Sequence, residues 1–379
     1  MKSLLIHVSK DSLSTVVQAT LRAITANTSS RVLSGIHIQV QDQGLTLTAS
    51  NIRMTIEYKI PAKLDSMIVQ RTGEIVVPAR YFYEIIRKLE PGLIRLEITE
   101  SLILNIQSAN AQFRLCGMDV AEFPRIQYID HPPTQKISMN STLLKQTIKR
   151  VVFAVSLSEA RPVLTGVSLQ IDNDVMRIIA TDGIRLAQHI VNLEDCDAVR
   201  LNVVIPGRTL EDLSKMLYEN EDDFTEIEIR QKQIRFISSG LIVQSALLEG
   251  TYPSIDNLIP QAYLTEVIVK TEHLLHVVER ISILVGESVT LSVLPSHAIS
   301  LTSKNAEIGD VKEEIPLVQL EGEPFRVSFN GKYFRDILRA IDSENLRIKF
   351  AGKERPLVIQ PVDTNSSTLF LITPMRTQD

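Results

Sequence analysis

Arg161-Pro-Val-Leu-Thr-Gly-Val-Ser-Leu-Gln-Ile171 and Ala180-Thr-Asp-Gly-Ile-Arg-Leu-Ala187 decide how this chain is read. In the first stretch Val167, Leu169 and Ile171 fall on one face, Ser168 and Gln170 on the other, which is the period of a half-buried strand. The second stretch closes a strand with Thr-Asp-Gly. Glycine reaches positive φ without steric penalty, and an aspartate can accept hydrogen bonds from the amides ahead of it, so a tight turn is predicted at Asp182-Gly183. That turn sets Arg185 beside Leu186. The same pattern occurs earlier, as Arg31-Val-Leu-Ser-Gly-Ile-His-Ile-Gln-Val40 followed by Thr48-Ala-Ser-Asn-Ile-Arg53, with Gly35 and Gly166 131 residues apart.

A recurrence at that distance points to an internal repeat. Three segments share one apolar stripe at helical spacing. Leu13, Leu144 and Leu274 correspond, as do Val16, Thr147 and Val277, then Val17, Ile148 and Val278, then Ile24, Val155 and Val285. Asn140 and Thr271 stand where N-caps belong, as does Ser9 or Lys10-Asp11 in the first copy. A second helix repeats after Pro78, Pro206 and Asn330, with Phe82, Leu210 and Phe334 in register. Short alternating runs follow each one, such as Leu93-Ile-Arg-Leu-Glu-Ile98 and Leu346-Arg-Ile-Lys-Phe350. Two repeats end in aromatic–proline pairs, Phe123-Pro124 and Tyr252-Pro253, and the third closes at Pro374. The expected domains are therefore 1–127, 136–257 and 264–379, each α+β with two helices and about eight mostly antiparallel strands.

Composition narrows the function. A chain of 379 residues exceeds one core, and 44% hydrophobic content is that of an ordinary globular protein. No apolar run approaches the roughly 18 residues of a membrane span. Met1-Lys-Ser-Leu-Leu-Ile-His-Val8 reads as a strand rather than a leader, so a cytoplasmic protein with no membrane association is expected. Cys116 and Cys196 lack metal-ligand spacing and are expected as two buried free thiols. His273 and His276 lie one helical turn apart with no third ligand nearby, so no metal is expected. No phosphate-binding loop, dinucleotide fingerprint or nucleophile elbow is present, and no cofactor is expected. Asp182 could serve as a catalytic carboxylate with Arg185, but no second carboxylate stands at a fixed spacing, and an Asx turn accounts for it.

Charge is unevenly spread. The chain carries a net −5, whereas the six helical windows together carry +4 and the remainder −9. Arg22, Arg80, Arg87, Lys88, Lys145, Lys149 and Arg150 lie largely off the apolar stripes. There is no tryptophan and no interleaving of aromatic with basic residues of the single-strand-binding kind. Contact with nucleic acid, where made, would be to phosphates and blind to sequence.

Arg161-Pro-Val-Leu-Thr-Gly166, Ala180-Thr-Asp-Gly-Ile-Arg-Leu-Ala187, Tyr252-Pro253, Glu307-Ile-Gly309 with Glu313-Glu-Ile315, Phe329-Asn330 with Tyr333, and Pro374-Met-Arg376 together resemble the bacterial DNA polymerase III beta subunit, the replicative sliding clamp. The resemblance spans the whole chain in order. It implies three DNA-clamp domains, each with two helices lining the inside and antiparallel sheets outside. Two chains would join head to tail into a homodimeric ring around duplex DNA. The seven basic residues named above would then face the DNA. A non-catalytic processivity factor results, associated with the nucleoid.

The resemblance also implies a hydrophobic pocket that holds replicative polymerase, clamp loader and repair proteins through short Gln- and Leu-containing peptide motifs. Its residues match here as Leu164, Thr181, Gly183, Ile184, Arg185, Leu186, Pro253, Leu258, Asn330, Tyr333, Leu371 and Met375. Three departures point to a divergent clamp, a second copy beside a main one. Ile184 stands where the family often has histidine, Leu284-Val-Gly-Glu-Ser288 lacks basic residues, and Thr377-Gln-Asp379 extends the tail. A DNA-independent scaffold that uses the pocket alone is the alternative. For the subunit joint, Ile103, Leu104 and Ile106 are the first-domain candidates.

Overall fold

The protein is described from a computed structural model covering residues 3–25, 30–62, 66–100, 102–124, 133–193, 199–220, 222–283, 288–305, 309–362 and 367–375. Among the described residues each repeat has two α-helices. They are α1 (Lys10–Leu21) and α2 (Ala79–Lys88), α3 (Ser141–Val151) and α4 (Gly207–Met216), α5 (Thr271–Ile281) and α6 (Gly331–Arg339). Nine, eight and nine strands accompany them.

The repeats do not coincide with the compact bodies. The chain divides into two units, residues 1–144 with 215–247, and residues 145–214 with 248–379. The reason is strand sharing. In the first unit an eight-stranded sheet runs Gln135–Asn140, Phe224–Arg230, Gln233–Ser238, Leu241–Ala246, Met54–Pro61, Gly44–Ser50, Gly35–Gln41, Gly73–Pro78. The pairing of Ser245 with Met54 joins the middle repeat to the first. In the second unit a nine-stranded sheet runs Val199–Pro206, Gly166–Asn173, Val175–Thr181, Arg185–Asn192, Thr368–Ile372, Leu357–Pro361, Asn345–Phe350, Thr265–Lys270, Gln319–Gly322. There Arg185 pairs with Ile372, which joins the middle repeat to the third. All of these ladders are antiparallel. A five-stranded sheet completes the first unit and a four-stranded sheet the second.

The helices form where the stripes were read but are shorter. Leu13, Val16 and Val17 are buried on α1, each contributing roughly 1.5–3 kcal/mol of apolar burial. Ile24 and Val155 fall beyond the ends of α1 and α3, and Val285 lies outside the described residues. The Ser9 hydroxyl caps α1, accepting from the Ser12 amide at 3.3 Å, and Asn140 Oδ1 accepts from the Leu143 amide at 3.1 Å. Thr271 is not a cap. It is the first residue of α5, Lys270 occupies the cap position, and no side chain bonds there.

Other expectations are corrected by burial. Ser168 is fully buried, so its strand is covered on both faces at that point. Cys116 is exposed rather than buried, because it ends Ala111–Cys116, an edge strand of the five-stranded sheet. Cys196 lies outside the described residues, as do Leu284–Glu287 and the tail Thr377–Asp379. Ile103, Leu104 and Ile106 sit on Ile103–Ser108, an interior strand paired on both edges; Leu104 and Ile106 are core at 0% exposure and Ile103 is half-buried, so the strand offers no free edge for a joint. Among the described residues no group of three or more His, Cys, Asp or Glu could hold a metal ion.

The two turns read as copies are copies in geometry. Asp182 Oδ1 accepts from the amides of Ile184 and Arg185, both at 2.9 Å. Asn51 Oδ1 accepts from those of Arg53 and Met54 at 3.2 and 2.8 Å. The residue between is Gly183 at φ +93° in one copy and Ile52 at φ +75° in the other. A β-branched residue in the left-handed region is strained by roughly 1–2 kcal/mol. Ile52 is 77% exposed and so has little packing to lose. Ile52→Gly is expected to raise stability by about 1 kcal/mol, the relief of strain exceeding the added chain entropy of glycine. A lower denaturation midpoint for the variant would contradict the strain.

Candidate functional site

The second unit gathers most of the residues expected at the pocket. Leu186 and Leu371 face each other across adjacent strands, and with Leu164 they pack in one buried cluster beside Tyr252, Ile255 and Val358. The cluster forms because the chain returns three times to one sheet end. The turn Pro162–Thr165 delivers Leu164, the hairpin delivers Leu186, and the last strand, Thr368–Ile372, delivers Leu371.

Polar groups lock this end in place. Thr181 donates its amide to Tyr252 Oη at 3.0 Å and its hydroxyl to the Arg185 carbonyl at 2.6 Å, and it accepts from the Gly183 amide at 3.1 Å. Tyr252 in turn donates to the Gly166 carbonyl at 3.4 Å. Burial raises the Tyr252 phenol well above its ordinary value, so it remains a neutral donor. Beyond the hairpin, the Thr373 amide donates to the Ile184 carbonyl at 2.9 Å, and the Met375 amide donates to the Ser328 carbonyl at 2.7 Å. Asn330 caps α6, its Oδ1 accepting from the Tyr333 amide at 3.1 Å, and so fixes the first turn that carries Tyr333.

Above this floor stand the exposed residues. Gly183, Ile184, Pro253, Leu258 and Met375 all face solvent. Pro253 and Leu258 belong to the segment whose Tyr252 and Ile255 enter the buried cluster. No atom lies within 4 Å of where a Gly183 Cβ would be, so its requirement is conformational rather than steric.

Arg185 is the surprise. Its side chain is 8% exposed. Nε donates to Asp182 Oδ2 at 3.1 Å and Nη1 to Asp336 Oδ2 at 2.7 Å. The guanidinium carbon lies 4.2 Å from the centre of the Tyr333 ring and 5.4 Å from that of Phe153. Asp336 and Phe153 stand outside the set of residues that the sequence places at the pocket. An aspartate on the polar side of an amphipathic helix carries no local signal that it will meet an arginine 151 residues away.

Of the seven basic residues expected to face DNA, Arg22, Arg80, Arg87 and Lys88 belong to the first unit, and Lys145, Lys149 and Arg150 to the second. Arg80, Arg87, Lys88 and Lys149 are exposed and the other three half-buried. Three carry identified carboxylate partners. Arg87 and Lys88 share Glu84 at 2.8 and 3.9 Å, and Arg150 meets Asp342 at 3.5 Å. The Arg87 guanidinium holds the Glu84 carboxyl below its usual range. Arg150 also donates to His189 Nε2 at 3.2 Å.

Comparison with known proteins agrees in order and extent. The DNA polymerase III beta subunit N-terminal domain matches residues 4–127, its central domain 138–254 and its C-terminal domain 256–376. The chain belongs to the DNA polymerase III beta subunit family. The beta sliding clamp of Bacillus subtilis is 36% identical over 377 residues, covering 98% of this chain and 99% of the relative. That of Staphylococcus aureus is 34% identical over 376 residues, 98% of each. The crystal structure of the Bacillus subtilis DNA polymerase sliding clamp superposes with a TM-score of 0.90 at 36% identity, over 99% of this chain and 100% of that one. The DNA polymerase III beta chain of Streptococcus pneumoniae gives a TM-score of 0.90 at 31% identity, with the same coverage. The fold is thus three clamp domains of helices and antiparallel sheets. Members of the beta subunit family are processivity factors and not catalysts, and Asp182 is fully engaged as an Asx turn and as a partner of Arg185.

Proposed function

We propose that this chain closes with a second copy into a ring around duplex DNA and tethers replication proteins through the hairpin pocket of its second unit. The observation that carries the reading is the match of all three beta subunit domains, in order, along nearly the whole chain.

The physics follows from topology. A closed ring is not lost when single contacts fail, so its contacts with phosphates can stay weak and let it slide. The relative relief of the helical windows from acid, +4 against −9 elsewhere, suits an inner lining beside DNA. A polymerase held by the ring stays near the primer end at high effective concentration. The pocket suits a short peptide, with aliphatic walls and a few polar groups at its rim. Short client motifs, from polymerase, clamp loader or repair proteins, would lie over Leu164, Leu186 and Leu371 and under Ile184 and Met375.

The free edge Ala111–Cys116 supports a joint in the first domain. Beside it lies a groove of about 560 Å³ between α2 and the 108–113 turn, lined by Tyr81, Ile85, Leu89 and Phe113. An exposed strand edge next to exposed apolar side chains is a natural place for a second chain to dock.

Two measurements test the proposal. Light scattering is expected to give twice the 42.5 kDa chain mass. Protein loaded onto nicked circular DNA by a clamp loader is expected to stay bound through gel filtration and to fall off once the circle is cut. No retention on either form with the pocket still binding peptide would instead mark a scaffold independent of DNA, and equal retention on circular and linear DNA would mark surface binding without a closed ring.

A further inference from the structure

Resting on the pocket reading above, we propose that Asp336 is a specificity-determining residue: by occupying Arg185 it makes the pocket indifferent to acidic groups on the client peptide. Arg185 is the one charged residue among those expected to line the site. Left to itself, a guanidinium beside an apolar pocket would grip a carboxylate in two-pronged fashion and select acidic clients.

Two carboxylates and two aromatic rings oppose that option. Asp182 takes Nε and Asp336 takes Nη1, at 3.1 and 2.7 Å. The guanidinium also lies over the rings of Tyr333 and Phe153. The three charged groups sum to −1, so an incoming carboxylate meets a net repulsion. Discrimination is built here by exclusion as much as by attraction.

The two carboxylates differ in what else they do. Asp182 also builds the turn through the amides of Ile184 and Arg185, so it cannot be changed without disturbing the hairpin. Asp336 sits on α6 with its side chain 23% exposed, and has Arg185 as its identified partner. Its replacement should leave the backbone intact, return the local sum to zero and release the Nη1 donor.

The test uses the full-length chain and two client-type peptides rich in glutamine and leucine, identical except for one glutamate–glutamine exchange at the residue nearest the hairpin. Calorimetry or fluorescence polarisation gives both affinities at low and high salt for the wild type, Asp336→Asn and Asp336→Ser. The wild type is expected to bind the acidic peptide no more tightly than the neutral one. Both variants are expected to prefer the acidic peptide by about tenfold at low salt, a preference that shrinks at high salt as an ion pair must. A purely structural role for Asp336 would lower both affinities together and leave their ratio unchanged, which overturns the proposal. So would an acidic preference already present in the wild type. If the wild type binds neither peptide, the pocket reading itself fails and takes this inference with it. Unchanged melting temperature and chain mass in the two variants exclude misfolding as the source of any change.

Discussion

Replacing Arg185 with leucine is expected to lower the unfolding free energy by about 3 kcal/mol, among the larger single-site losses this chain can show. The substitution leaves the backbone pairing with Ile372 and the Thr181 bond to the Arg185 carbonyl in place. What it removes is the partner of two carboxylates, with side chains only 11% and 23% exposed. Breaking such a pair from one side costs far more than the pair contributes, because desolvated charge is left without compensation. The packing of the guanidinium against Tyr333 and Phe153 is lost as well. Arg185→Lys should recover little, since an ammonium cannot hold two carboxylates in a fixed fork while stacking on a ring. Denaturant midpoints of wild type, leucine and lysine variants measure this directly. A loss under 1 kcal/mol for leucine would mean the carboxylates find water in its absence.

The second large effect depends on pH. His189 is 5% exposed. Its Nδ1 lies 2.7 Å from Thr368 Oγ1 and its Nε2 accepts from Arg150 at 3.2 Å. Asp342 reaches the same guanidinium at 3.5 Å and is the other charged group in the chain of contacts. Burial first, and then the Arg150 charge, push the imidazole down from 6.5 to about 4. A neutral ring with its proton on Nδ1 satisfies both neighbours, whereas a protonated Nε2 would face a guanidinium. The folded chain therefore takes up this proton only near pH 4, while the unfolded chain takes it up near pH 6.5. Between those values the unfolded state holds more protons, so stability rises with pH across the window and falls on acidification by about 3 kcal/mol in all. Above pH 6.5 and below pH 4 this residue adds no slope. His189→Gln is expected to flatten the wild-type dependence in that window alone. Parallel curves for the two proteins would show that other groups cause the acid loss.

Local chemistry was legible in the sequence wherever neighbours in the chain decide the outcome. The turn at Asp182-Gly183, its copy at Asn51-Ile52, the caps at Ser9 and Asn140 and the apolar stripes of α1, α3 and α5 all follow from residues within a few positions of one another. Leu164, Leu186 and Leu371 could be grouped through the family resemblance, and the sheet pairing explains why they meet. What the sequence concealed lies at long range. Nothing near Asp336 announces Arg185, and nothing near Cys116 says that its strand ends a sheet. Helix ends were overrun because an apolar residue one turn past the helix can keep the stripe's spacing from a loop, as the half-buried Ile24 and Val155 illustrate. The expected joint residues failed for a similar reason: alternation in Ile103–Ser108 marks a strand but not whether a neighbour covers its edge, and one does.

Strand sharing has a practical consequence for anyone cutting this protein into pieces. A fragment ending at residue 127 would keep Met54–Pro61 while discarding Leu241–Ala246, which pairs with it. A fragment starting at residue 264 would keep Thr368–Ile372 and discard Arg185–Asn192. Either scission tears a β ladder lengthwise and leaves a sticky border where backbone amides and carbonyls had been matched. Duplication wrote the gene in thirds, but the folded polypeptide is stitched across those seams, and no third is a garment by itself.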